Sequence, residues 1–251
     1  MHGIHTLIRF LAMGLAGTAS ALPGPLRLAA TFSHIANELD HISLGNCSLV
    51  NATLPLNDTR VKLPSPSSHL SLKYVALGRG TQNYSCPSSS VDTRNSIAPV
   101  ATGAAATLFD ASCLAASSLT LLHEMPAVVG NAPLGSLAFM AELLSQVTNT
   151  SDIILGEHYF DAKGNPSFDL RLSNSDDWMI SKKTASVVAP KRVSTPERSQ
   201  DVPWLKLDRK EGNGIKEVYR VMTFEGGPPS TCAGLNGTVL VQYAAEYWFY
   251  G

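Results

Sequence analysis

The residues best placed for chemistry lie in the run Gly156-Glu157-His158-Tyr159-Phe160. In a strand, side chains alternate, so Glu157 and Tyr159 share one face while His158 shares the other with Gly156 and Phe160. A histidine acts as acid, base or ligand near neutral pH, and flanking aromatics tune its ionisation by desolvation. His158 is the lead catalytic candidate, with Glu157 as the adjoining carboxylate. One histidine is not a mechanism, and a structural histidine bonded inside the fold ranks ahead of a catalytic one. Carboxylates for a glycosidase pair exist, Glu157 with Asp169, Asp208 or Glu225, but sequence sets no separation between them.

Aromatic residues offer a second kind of chemistry. Trp178, Trp204 and Trp248, with Tyr243, Tyr247 and Tyr250, have faces that stack on sugar rings and tips that hydrogen-bond. Alternation along the last segment assigns Tyr243, Tyr247 and Phe249 to core packing. Trp178 follows the turn-like Ser175-Asp176-Asp177 and stays a ligand-binding candidate. Near the N-terminus, His34, Glu38 and His41 share a helical face that could hold a metal. No further ligand is nearby, so a solvated polar face is the preferred reading and no metal is assigned.

Other motifs are absent. There is no Gly-x-Ser-x-Gly, no His-Glu-x-x-His and no phosphate loop, and Gly78-Arg79-Gly80-Thr81-Gln82-Asn83 lacks the third glycine of a dinucleotide fingerprint. The sequence calls for no cofactor. With 19 basic and 20 acidic side chains, the net charge of −1 provides no field to gather nucleic acid.

The elements that must position these residues follow from periodicity. Leu28, Phe32, Ile35, Leu39 and Ile42 make one apolar helical face within residues 22–44. From Gly45 to Ser68 the chain is rich in Asn, Ser and Pro and reads as an extended connection. Leu70 to Leu77 alternates and predicts a strand ending at Gly78-Arg79-Gly80, and Pro99 to Phe109 predicts a buried strand. Ala111 to Leu122 is of undecided type, and Asn131 with Pro133 caps a helix reaching Asn149. Six more strands are predicted over Ile153–Phe160, Ser167–Leu172, Thr184–Val188, Trp204–Leu207, Glu217–Phe224 and Thr238–Tyr250. In the last, Val239, Val241, Tyr243, Ala245, Tyr247 and Phe249 share a face. The fold class is mainly β: an antiparallel sandwich or barrel with two or three peripheral helices. The intervals are too short for the helices that a doubly wound sheet needs.

Processing signals set the compartment. Residues 1–21 read as a signal peptide, with Arg9, an apolar run from Phe10 to Ala16, and Ala19-Ser20-Ala21 at the cleavage site. The run is shorter than the roughly 20 residues of a membrane span. Six of twelve asparagines stand in glycosylation sequons: Asn46, Asn51, Asn57, Asn83, Asn149 and Asn236. Four cysteines, Cys47, Cys86, Cys113 and Cys232, form an even set that reads as two disulfides, with three connectivities open. Lys191-Arg192 lies in a proline-rich surface loop; an ordinary solvated loop is the preferred reading, ahead of a site for a dibasic protease.

Several runs taken together resemble a known family. They are Gly78-Arg79-Gly80-Thr81-Gln82-Asn83-Tyr84-Ser85-Cys86, Gly156 to Phe160, Asp201-Val202-Pro203-Trp204-Leu205-Lys206-Leu207, Tyr219 to Pro229 with Cys232, and Tyr243 to Tyr250. In this order they are similar to a secreted family of unknown function, common in filamentous fungi and with bacterial relatives, over about residues 45–251. The resemblance implies one β-rich domain over that span, places His158, Trp204, Arg220 and Cys232 in family motifs, and makes Cys86–Cys232 and Cys47–Cys113 the expected bridges. Many members carry an automatic malate dehydrogenase label, which sits badly with a leader peptide and no dinucleotide fingerprint. His158, Trp178, Trp204 and Arg220 are therefore the ligand-binding candidates. The leading expectation is a secreted, N-glycosylated, disulfide-stapled protein binding an extracellular carbohydrate or other small ligand. A hydrolase centred on His158 comes second and the dehydrogenase last. Oligomeric state is left open.

Overall fold

Eight strands close into an antiparallel barrel in which each strand pairs with the next and the last returns to the first. They are β1 (Leu72–Cys86), β2 (Val100–Asp110), β3 (Ile154–Phe160), β4 (Pro166–Asp169), β5 (Trp178–Val187), β6 (Trp204–Asn213), β7 (Glu217–Glu225) and β8 (Gly237–Tyr250). Helices α1 (Ser112–Ser117), α2 (Leu119–Gly130) and α3 (Leu134–Thr148) occupy the β2–β3 connection. The computed structural model describes residues 47–58, 62–87, 97–148, 153–190 and 200–251. The expected leader, the expected helical segment 22–44 with His34, Glu38 and His41, and Asn46, Asn149 and Lys191-Arg192 lie outside the described residues. Closure satisfies both edges of every strand, which settles the choice between sandwich and barrel.

Register shows which side chains fill the barrel. On β1 and β8, Ala76 faces Tyr247, Gly78 faces Ala245, Gly80 faces Tyr243 and Gln82 faces Val241. Ala76, Tyr243, Ala245, Tyr247 and Phe249 belong to the buried core, so this is the inward face, as the alternation along β8 predicts. The same level continues through Ala106, His158, Phe168 and Met179 on β2 to β5. The Tyr247 ring of β8 and the backbone of β2 leave no room for side chains at two positions of β1. A Cβ at Gly78 would meet the Tyr247 ring, and one at Gly80 would meet the backbone of Ala105 and Ala106. These glycines therefore mark close approach inside a strand. That corrects the expected end of β1 at Gly78-Arg79-Gly80, since the strand continues to Cys86.

Outside the wall, α2 packs on β7, β8 and β1, burying Leu121, Leu122, Met125 and Pro126. Its N-terminus is capped by the Ser118 side chain, which accepts from Leu121 N. Arg79 points outward from β1 and donates to Val129 O at 3.0 Å and Ala132 O at 3.2 Å, so a cation neutralises the carbonyl end of the same helix. Ala111–Leu122, undecided in sequence, is thus mostly helix, because its apolar residues cover the barrel wall and do not join it.

Two disulfides staple this frame. Cys86 at the end of β1 is bonded to Cys232 in the β7–β8 connection, and Cys47 is bonded to Cys113 in α1. No helix among the described residues is long and apolar enough to cross a membrane.

Candidate functional site

The outer wall carries a row of side chains assembled by register from five strands. Arg79 is opposite Thr107, Thr107 opposite Glu157, Glu157 opposite Asp169, and Asp169 opposite Trp178. Four strand-to-strand steps of about 4.8 Å make the row about 19 Å long. A groove of about 550 Å³ occupies one end, lined by Thr81, Thr107, Leu134, Glu157, Tyr159 and Gln242 among others. A smaller one of about 140 Å³ occupies the other end, where Tyr159, Asp169, Arg171 and Trp178 meet. Tyr159 lines both and is 38% exposed, so the two grooves are neighbours along this row, called here the outer track.

Each polar group on the track has a distinct environment. Asp169 accepts from Arg171 Nε at 2.8 Å and Nη2 at 2.5 Å, and this bond holds its carboxyl below the usual carboxylate range. The Arg171 guanidinium also lies 5.8 Å from the Trp178 ring centre. Glu157 is exposed beside Asp169 on the neighbouring strand. Arg79 is only 4% exposed and bonds Gly80 O and Gln242 Oε1 as well as the α2 carbonyls, so it shapes the groove and anchors the Gln242 side chain. The surface offers carboxylate, amide and hydroxyl groups for hydrogen bonds and two aromatic rings for stacking.

His158 and Arg220 lie on the other side of the wall, inside the barrel. His158 Nδ1 is 2.8 Å from Ser167 O, so Nδ1 carries the proton and donates. Its ring stacks on Phe168 with centroids 4.4 Å apart. Burial pulls its pKa down to about 4, further assisted by the positive Arg220 and opposed by the Ser167 bond, so the ring is neutral at pH 7. Arg220 faces Tyr247 across β7 and β8 and Leu205 across β6. Tyr247 OH is 2.8 Å from Tyr243 OH, and burial raises both phenols while Arg220 opposes that rise.

Glu157 and His158 thus occupy opposite sides of one strand and do not converge. Trp204 is buried on the outward face of β6, next to the inward Leu205, with its Nε1 unpartnered. Trp178 borders one of the two grooves, which neither Trp204 nor Trp248 lines. Among the described residues no group of three His, Cys, Asp or Glu side chains is arranged to hold a metal ion.

The family model described as Protein of unknown function (DUF3455) matches residues 66–251. The chain belongs to this family. No curated protein and no solved structure matches it. The DUF3455 region contains all eight barrel strands, and with them both the outer track and the lumen cluster. Sequence reasoning missed Thr81, Thr107, Arg171 and Gln242 as site residues. Only the Asp169-x-Arg171 spacing carries a local signal, because the others reach Glu157 and Tyr159 solely through pairing of distant strands.

Proposed function

We propose that this protein is exported, glycosylated, and binds an extended neutral oligosaccharide along the outer track, at the cell surface or in the surrounding matrix. The observation that carries the reading is Tyr159 and Trp178 placed along two neighbouring grooves that share Tyr159, with Thr81, Thr107, Glu157 and Gln242 lining the larger. Aromatic faces pair with the apolar faces of sugar rings, and the flanking groups match sugar hydroxyls. An acidic glycan would meet the Glu157 carboxylate, which favours a neutral one. Export fits the two disulfides and the leader-like start. Sequons Asn51, Asn57 and Asn236 are exposed and can carry glycans without disturbing the core.

Binding is favoured over hydrolysis because Asp169 is ionised and committed to Arg171, leaving Glu157 without a protonated carboxyl partner across the groove. Isothermal titration with cello- and chito-oligosaccharides of increasing length tests this. Affinity rises with length up to the span of the track and falls at least tenfold in Tyr159→Ala and in Trp178→Ala, with the melting temperature kept. Equal affinity for monomer and oligomer, or unchanged binding in both variants, overturns it. Release of reducing ends that disappears in Glu157→Gln replaces binding with hydrolysis.

A further inference from the structure

One glycosylation sequon sits in the barrel wall, at the edge of the larger groove. Asn83, followed by Tyr84-Ser85, is half-buried on β1 and shares the outward face with Arg79 and Thr81. Thr81 lines the groove, and its Oγ1 donates to Asn83 Oδ1 at 2.9 Å, so the asparagine side chain leans along the strand towards the groove. Its Nδ2, the atom that carries a glycan, donates to no other group among the described residues. The turn between α2 and α3, with Pro133 and Leu134, bounds the groove at the Arg79 end, where Arg79 donates to Ala132 O. Asn83 stands further along β1, at the opposite end. There its neighbours across the strands are Gly103, which has no side chain, and Leu240, which is 59% exposed. A glycan at this point has open space on one side and, on the other, apolar surface that a sugar face covers favourably.

Register sets how far such a glycan must reach. Arg79, Thr107 and Glu157 are aligned across β1, β2 and β3, so Asn83 lies two strands over and two residues along from Tyr159, about 12 Å away. The inner sugars of an N-linked chain span that distance. We infer that Asn83 carries an N-glycan whose first sugar rests beside Leu240 and whose next ones cross the larger groove towards Tyr159, so that occupancy of this sequon covers the outer track. The modification takes its sugar from a lipid-diphosphate-linked oligosaccharide. Asn83 Nδ2 bonds to the anomeric carbon of an N-acetylglucosamine, the bond from that carbon to the diphosphate oxygen breaks, and the lipid diphosphate leaves as the amide gives up a proton. Transfer precedes folding, because afterwards the strand around Asn83 is paired with both β2 and β8. That the cover excludes a ligand rests on the proposed sugar-binding role; the cover itself does not.

The test uses the full chain secreted from a eukaryotic host. Ser85→Ala and Asn83→Gln cannot be modified at Asn83, and either serves if the other fails to fold; Asn51→Gln, which loses a different sequon, is the control. Mass spectrometry reads the occupancy of Asn83. Nitration by tetranitromethane reads access to the groove, because Tyr159 is the most exposed of the seven tyrosines. If the glycan leaves the groove open for only a fraction of the time, Tyr159 nitration slows and the apparent Kd for chito-oligosaccharide rises by the same factor. About tenfold is expected for both in the parent relative to Ser85→Ala and Asn83→Gln, as for a groove open about a tenth of the time. Asn51→Gln should match the parent. An unmodified Asn83, equal Tyr159 nitration in parent and variants, or a slow nitration that Asn51→Gln relieves equally well overturns the inference. Slow nitration in the parent, with no oligosaccharide bound by the unmodified variants, upholds the cover and removes the sugar-binding reading instead.

Discussion

Acidification from pH 7.5 towards pH 5 should weaken this protein through His158. His158 is buried, neutral and stacked on Phe168, with a pKa of about 4 against an ordinary value of 6.5. The unfolded chain therefore takes up a proton near pH 6.5 that the folded barrel refuses until about pH 4. Stability is full above pH 6.5, declines as the pH falls between those values, and levels off for this group below the lower one. The gap corresponds to about 3 kcal/mol, of which about 2 kcal/mol is lost by pH 5. Urea denaturation at pH 7.5, 6.5, 5.5 and 4.5 measures it, with His158→Gln as the reference. The glutamine amide can still donate to Ser167 O but cannot be protonated, so the variant is less stable at pH 7.5 and flatter across the range. Carboxylates such as Asp169 titrate in both proteins and cancel in the difference. Parallel pH profiles in parent and variant, or a parent that gains stability on going from pH 7.5 to 5.5, would refute the reasoning.

Two further predictions concern the frame. Replacing Cys86 and Cys232 by serine opens a loop spanning 146 residues, for which chain entropy sets a ceiling of about 5 kcal/mol. A loss of 2 to 5 kcal/mol in urea melts is expected, and a loss under about 1 kcal/mol contradicts the stapling role. Gly78→Ala pushes a methyl group into the Tyr247 ring and should cost about 1 to 3 kcal/mol, whereas the same change at Gly164, whose added Cβ meets nothing, strains only a turn with positive φ. Equal stability of Gly78→Ala and the parent would contradict the packing described for β1 against β8.

What could be read from sequence and what could not divide along physical lines. β8 was legible because Val239 to Phe249 alternates strictly, with one face in the lumen and the other carrying Glu246 and Trp248 under α2. The even cysteine set indicated two bridges, although spacing alone left the pairing open. β5 and β6 were read too short because Lys182, Lys183, Arg209, Lys210 and Glu211 hide a ladder running from Met179–Gly212 to Val187–Trp204. Charged side chains are accepted there because they are exposed or half-buried, so water still solvates them. The opposite facing of Glu157 and His158 followed from alternation, but that the first is exposed on the outer wall and the second buried required the barrel. Arg220 came from family resemblance, and nothing local distinguishes a lumen arginine from a surface one. An antiparallel meander also lacks the parallel strand–helix–strand unit on which dinucleotide sites are built.

Intrinsic fluorescence tests the outer track most directly, because Trp204 and Trp248 are 2% and 0% exposed and Trp178 lines the track. Titration with the longest oligosaccharide that binds should shift the emission to shorter wavelength and saturate, and Trp178→Phe should remove the response while Trp204 and Trp248 continue to emit. A change that persists in Trp178→Phe, or calorimetric binding with no change in Trp178 emission, contradicts the track as the sugar site.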